Sequence, residues 1–215
     1  MSRGGNVKTG AGSTPDPDPG RQLHRERTAR CPGFRVAVMA DARTAIAYRG
    51  EGPATAKGVL SGIGLVLGLM WRADGFFALV CYRLRTSLRA KRVPILPRLL
   101  HHVSVATAQI CIGDPVIIEP GVYIPHGQVV IDGLTEVHSG AILYPFVNLG
   151  LLGPNITGPT VGGRAMIGTG AKVLGPTTIG KGARIGANAV VVRDVPAGAT
   201  AVGVPAVVVT PAGLG

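Results

Sequence analysis

A mainly β fold, a parallel β-helix of hexapeptide repeats behind a short N-terminal helical region, is predicted by three observations. Aliphatic residues recur every six positions from Ile112 onward, a spacing that neither a helix nor an alternating strand produces. Glycine follows the aliphatic residue at 113, 150, 162, 168, 180 and 186, and Ala165, Ala171, Ala183 and Ala189 sit four positions after it, so each corner has a small residue. Aromatic residues make up only 4% of the 215-residue chain against 46% hydrophobic residues overall. Such a core must be filled by Val, Ile, Leu and Ala, and is thin and regular.

Residues 1–57 begin MSRGGNVKTGAGSTPDPDPGR, with almost nothing to bury, and read as a basic tail that is disordered at least over positions 1–30. Residues 58–111 form a basic helical region. Its apolar and basic positions mix at helical spacing, predicting two helices with a break at Ala73–Gly75, and Pro94 and Pro97 are expected to end the helical part. The apolar run from Val59 to Met70 falls short of the ~20 residues that span a bilayer.

Residues 112–215 carry the repeats. Ile112, Ile118 and Ile124 come first; Ile131, Val137, Leu143 and Leu149 follow after a one-residue slip; Val161, Ile167, Val173, Ile179, Ile185 and Val191 then hold strict register. Three hexads make a coil, and successive coils stack at about 4.8 Å. Positions 18 apart therefore form columns, and Leu151, Thr169 and Ala187 are predicted to share one. Leu149–Val161 lacks its middle aliphatic anchor and holds Gly150, Gly153, Pro154, Gly158 and Pro159, the content of an excursion loop. The overlong hexad between Ile124 and Ile131 contains His126, which a local bulge should push out of the wall.

A net charge of +11 would suggest nucleic acid if it were spread over the whole chain. Residues 1–57 carry ten Lys/Arg against five Asp/Glu, residues 58–111 seven against one, and residues 112–215 five against five. The excess lies wholly outside the repeats, in a region with few aromatic residues to stack on bases, so nucleic acid is not the expected partner. The segment 83–98, with Arg83, Arg85, Arg89, Lys91, Arg92 and Arg98, is expected either to touch anionic lipid beside the apolar 59–70 helix or to pack as a cap. Three cysteines without CxxC spacing or a secretory leader suggest a reducing, cytoplasmic compartment.

The segments IPHGQVVIDG (124–133), VNLG (147–150) and VGGRAMIGTGAKVLGPTTIGKGARIGANAVVVRDVPAGATAVGVPA (161–206) resemble the serine acetyltransferase branch of the left-handed β-helix acyltransferases. The resemblance implies a homotrimeric O-acetyltransferase that uses acetyl-CoA as co-substrate, with no metal. It places the coenzyme near Gly150, Thr169, Lys172 and Ala187, with Lys181, Arg184 and Arg193 as further cations for its phosphates. It places the catalytic histidine at His126, which would take the acceptor hydroxyl's proton as the oxygen attacks the thioester.

Three positions depart from the family pattern. The position of the aspartate expected ahead of the histidine is taken by Cys111, leaving Asp114 as the expected orienting acid, with Asp132 as the other candidate. The acidic residue just before the histidine is Pro125, and the Arg-His pair of the loop aligns with Thr157 and Gly158. The lost charges are those that clamp an amino acid, so a sugar or glycan hydroxyl competes with L-serine as acceptor. A metal lyase on this scaffold needs three histidines, and the repeats hold only His126 and His138. A non-catalytic trimeric scaffold is the remaining alternative.

Overall fold

The computed structural model describes residues 33–51, 59–154 and 156–209; the N-terminal stretch expected to be disordered, 1–30, lies outside them. Among the described residues, four helices, α1 (Phe34–Tyr48), α2 (Val59–Arg72), α3 (Asp74–Ala90) and α4 (Leu96–Ala108), precede fourteen short strands. The break expected at Ala73–Gly75 separates α2 from α3. Two expectations are corrected. Part of the predicted tail is helix: α1 buries Ala37, Val38, Asp41, Ala42, Ala45 and Ile46, a single face at helical spacing, against Leu69, Phe76 and Val80. The prolines do not end the helical region either, because Pro97 lies in the first turn of α4, where a missing N–H costs no helical hydrogen bond.

Strands β1 (Ile110–Ile112), β3 (Val129–Ile131), β6 (Asn148–Gly150), β9 (Lys172–Leu174) and β12 (Val190–Val191) form one wall. Strands β2 (Ile117–Ile118), β4 (Glu136–Val137), β7 (Thr160–Val161) and β10 (Thr178–Ile179) form the second. The third contains β5 (Ile142–Leu143), β8 (Met166–Ile167), β11 (Arg184–Ile185) and β13 (Thr200–Gly203), with Tyr123 bridged to Ile142. All of these pairings are parallel; only β14 (Ala206–Val209) folds back antiparallel on β13. The result is a left-handed, three-walled β-helix. Each wall stacks its aliphatic residues inward, as in Ile112, Ile131, Leu149, Val173 and Val191, all at most 3% exposed. Burying each such side chain contributes roughly 1.5–3 kcal/mol.

The register records where the repeat is irregular. Ile112 pairs with Ile131, 19 positions on, and Ile131 lies 18 before Leu149. Leu149 pairs with Val173, 24 positions on, and Val173 with Val191, 18 positions on. The one-residue excess is the bulge containing His126, and the excess of six is the excursion after Gly150.

The helices close the upper edge of the first coil, where a β-helix would otherwise present unpaired backbone groups. Tyr82 Oη donates to the Val116 carbonyl (2.9 Å) and accepts from the Ile118 N–H (3.2 Å). Arg83 donates to the carbonyls of Ile118 and Glu119, and Arg85 to those of Ile112 (2.8 Å) and Gly113 (3.1 Å). Ser104 Oγ donates to the Ile110 carbonyl at 3.1 Å. Arg83 and Arg85 are therefore buried fittings of a cap, not cations facing a lipid surface. Among the described residues, no helix is long and apolar enough to cross a membrane.

Candidate active site

His126 lies at the corner between the third and first walls, in the four-residue turn 125–128 that the bulge creates. Two close approaches hold this turn. Gly75, in the first turn of α3, lies so close to the Ile124 carbonyl that a Cβ there would come within 1.9 Å of its oxygen. Gly127 faces the Ala108 carbonyl at the end of α4, where a Cβ would come within 2.0 Å of the oxygen. The cap thus grips the backbone on both sides of His126 while the imidazole itself remains partly open to solvent.

Following the register downward, His126 stands above Pro145, Thr169 and Ala187 in successive coils, as the pairings Tyr123–Ile142, Ile142–Met166 and Met166–Arg184 require. The Gly170 N–H donates to the Pro145 carbonyl (2.9 Å) and the Asn188 N–H to the Thr169 carbonyl (2.8 Å), which ties the corner together. Thr169 and Ala187 are exposed and small, and leave a shallow channel below the histidine. Lys172 bends back to this corner, its Nζ donating to the Gly170 carbonyl at 2.7 Å. Lys181, Arg184 and Arg193 are exposed.

One sequence expectation fails here. Leu151 is not in the Thr169–Ala187 column: it lies after β6, at the corner between the first and second walls, beneath Gly133. The six-residue excursion shifts the count, so stepping back one regular coil from Thr169 crosses to another corner. Gly150 ends β6, packed beside Asn148 and Leu174, off that column within one chain.

Asp114 does not meet His126. Its carboxylate pairs with Arg89 at 2.7 Å and with Arg85 at 3.6 Å. Burial raises its pKa, but the Arg89 hydrogen bond and the two guanidinium charges outweigh this and hold it below the ordinary 3.8. Asp132 Oδ1 accepts from its neighbour's amide, Gly133 N–H, at 2.8 Å. Cys111 is half-buried, and burial, then the charge of Asp132, push its thiol up from 9.0. Among the described residues, His126 has no side-chain hydrogen-bond partner. His138 has one: its Nδ1 lies 2.9 Å from Glu119 Oε1, at a different corner. Thr157 and Gly158 lie at the end of the excursion, Gly158 packed against Thr135 and Asp132.

Sequence reasoning missed the aromatic side chains around this corner. The β-helical part holds three aromatic residues, Tyr123, Tyr144 and Phe146, and all three flank the His126 turn or the coil directly beneath it. Tyr123 stacks on Tyr48 of α1, centroids 4.7 Å apart and planes 8° from parallel. Burial raises the Tyr123 pKa, and nearby Tyr144 adds to that rise while Arg49 opposes it. Phe146 is 54% exposed and has φ +63°. Gln128, Gly170 and Asn188 hold the same corner position in the neighbouring coils, also at positive φ. A left-handed backbone costs a bulky residue about 1–2 kcal/mol relative to glycine, and a half-exposed ring recovers little of that by burial.

Comparison with known proteins agrees with this architecture. A family model described as bacterial transferase hexapeptide (six repeats) matches residues 158–193. A serine acetyltransferase of Synechococcus elongatus is 39% identical over 103 residues, 46% of this chain and 42% of the relative. One from Synechocystis is 40% identical over 150 residues, 68% of this chain and 60% of the relative. The chain thus spans about two fifths to three fifths of the length of these curated relatives. Among solved structures, soybean serine acetyltransferase complexed with serine superposes with a TM-score of 0.67 at 30% identity, covering 87% of this chain and 74% of the other. A serine acetyltransferase in complex with CoA gives 0.68 at 26% identity, covering 88% and 75%.

Proposed function

The chain belongs to the serine acetyltransferase-like hexapeptide-repeat family, and from that membership we propose that it is a homotrimeric O-acetyltransferase taking its acetyl group from acetyl-CoA. The observation that carries the reading is the shared corner column, with His126 standing above the open Thr169 and Ala187 positions. A coenzyme arm lying along that column brings its thioester toward the imidazole. Lys172 and the exposed cations of the lower coils supply charge for the coenzyme phosphates.

The transfer is direct. The imidazole of His126 takes the acceptor hydroxyl's proton as the oxygen bonds to the thioester carbon. Backbone N–H groups stabilise the tetrahedral oxyanion. Its collapse breaks the carbon–sulfur bond, and the CoA thiolate recovers the proton from the imidazolium. Ester and free thiol are the products. The imidazole is oriented by the backbone clamp at Gly75 and Gly127, since Asp114 is engaged by the cap.

The acceptor we favour is a neutral hydroxyl. No Asp, Glu, Lys or Arg lies between Ile124 and Ile131 or between Leu143 and Leu149, and Pro125, Thr157 and Gly158 offer no ion pair to an amino acid. The relatives' names make L-serine the first competitor to assay. The test is release of free thiol from acetyl-CoA with serine and a panel of sugars. His126→Ala should lower kcat by roughly 10²–10⁴ with the fold retained. His138→Ala should change it little, its exposed pair with Glu119 being worth at most about 1 kcal/mol of stability. Thiol release by neither wild type nor variants with any acceptor would favour the non-catalytic scaffold.

A further inference from the structure

The aromatic rings beside His126 have no role in the transfer chemistry. Phe146 is the most informative of them. It occupies a corner position whose left-handed backbone is filled by Gly170 and Asn188 in the coils below, and it leaves its ring half-exposed. A residue that is conformationally costly and incompletely buried is explained by what the ring does at the surface. Tyr144, two positions earlier, is half-buried at the same turn, next to Tyr123 and its stacking partner Tyr48. The charges around this corner are engaged: Arg49 and Glu51 bind each other at 2.8 Å, and Lys172 Nζ donates at 2.7 Å to the carbonyl of Gly170, the residue beneath Phe146. The polar groups that remain at this corner, Gln128 and Asn148, are uncharged amides, each able both to donate and to accept.

Aromatic faces flanked by neutral amides, with the nearby Lys172 ammonium tied to a backbone carbonyl, match one class of hydroxyl compound. A pyranose has an apolar C–H face that packs on an aromatic ring and a rim of hydroxyls that bonds to amides. Serine has neither feature. We infer that Phe146, with Tyr144, is the stacking platform of the acceptor site, and that the acceptor hydroxyl is carried on a pyranose ring stacked on Phe146, beside the column that the coenzyme arm follows to His126. This rests on the O-acetyl-transfer reading, because it is the transfer that makes a ring at this corner an acceptor.

The test compares wild type, Phe146→Gly and Phe146→Trp, using methyl glucoside, galactoside and mannoside beside serine. Glycine suits the left-handed backbone at this position, so Phe146→Gly should keep or raise Tm. Its kcat/KM for the pyranosides should fall roughly three- to tenfold, the worth of one aromatic stacking contact, with the KM for acetyl-CoA unchanged. Phe146→Trp should restore the pyranoside values. Saturation-transfer NMR of the methyl pyranosides should show ring C–H protons contacting the wild type and lose the signal in Phe146→Gly.

Three results would overturn the inference: pyranoside kcat/KM within twofold of wild type in Phe146→Gly; an equal loss with serine; or dissociation of the trimer by light scattering, which would make the ring a subunit contact. Pyranoside binding that depends on Phe146, without turnover of any acceptor, would uphold the platform and reject the transferase reading. Turnover that is indifferent to Phe146 would do the reverse.

Discussion

Removing the Asp41 carboxylate should detach the helical cap from the β-helix. Asp41 is 1% exposed and binds Arg83, itself 4% exposed, through Nε at 3.0 Å and Nη2 at 3.3 Å. The same carboxylate accepts from the Gly121 N–H at 2.7 Å, so one side chain of α1 ties together α3 and the first coil. In Asp41→Ala the guanidinium stays charged and buried. Breaking such a pair by deleting one partner costs about 3–5 kcal/mol. The carbonyls of Ile118 and Glu119 still solvate Arg83 and argue for the lower end. The lost bond to Gly121 adds to the cost but not independently, since it shares the same carboxylate. About 3–4 kcal/mol is a large part of the roughly 5–15 kcal/mol that stabilises an ordinary domain.

Urea unfolding followed by helical circular dichroism should show the helices melting at distinctly lower denaturant in Asp41→Ala. The double variant Asp41→Leu/Arg83→Met, which removes both charges, should recover much of the loss. A second readout is catalytic: α1 carries Tyr48, which stacks on Tyr123 beside His126, so a loosened cap should also lower turnover. A loss below about 1 kcal/mol in Asp41→Ala, well under the cost of an orphaned buried charge, or a double variant worse than the single one, would show that the pair does not hold the cap.

Two further outcomes follow from the cap. Gly127→Ala places a Cβ against the Ala108 carbonyl, backbone against which the turn must shift, so it should lower Tm by several degrees and cut kcat by up to about 10²-fold as His126 moves. Unchanged turnover would separate the bulge from catalysis. Acid should weaken the fold in two stages. His101 is held below its ordinary 6.5, first by burial and then by Arg85, so the unfolded state takes up its proton first and stability falls as pH drops below about 6.5. Asp114, held below 3.8, contributes stability that is present above about pH 4 and lost as pH falls through its lowered folded value. Tm measured against pH should lose the upper stage in His101→Gln and the lower one in Asp114→Asn; identical profiles in all three proteins would refute both assignments.

The walls of the β-helix were legible because a period-six repeat encodes its own register. Each inward aliphatic stacks on its counterpart in the next coil, so Val161 to Val191 can be placed by counting, and the slip at Ile124–Ile131 marks the bulge from sequence alone. Counting failed where it crossed an insertion. Leu151 precedes Thr169 by the length of one regular coil, but the six-residue excursion between them turns that interval into a step to another corner. The cap failed for a different reason. The face of α1 at 37, 38, 41, 42, 45 and 46 carries a weak local signal, and its burial depends on Arg83, 42 residues away from Asp41. Lipid contact and a cap stood as alternatives for the basic segment because sequence does not distinguish a guanidinium facing water from one capping backbone carbonyls: Arg83 and Arg85 cap the open β-helical edge, whereas Lys91, Arg92 and Arg98 are exposed.

Asp114 and Phe146 show opposite limits of reading function from chemistry type alone. Asp114 was the expected orienting acid by chain proximity, yet carboxylates go to the strongest nearby cation, and Arg89 and Arg85 are nearer in space than the imidazole. Phe146 carries no catalytic group and gives no signal in the sequence, yet the folded chain reveals that its backbone is left-handed where glycine stands in the coil below. The charged residue is accounted for by the fold, whereas the apolar one is not, and a residue unexplained by stability is the better guide to what the site binds. On the proposed reading, rings and amides stand beside His126 where ion-pairing groups would clamp an amino acid, and exchanging Phe146 should move acceptor preference without moving the chemistry at His126.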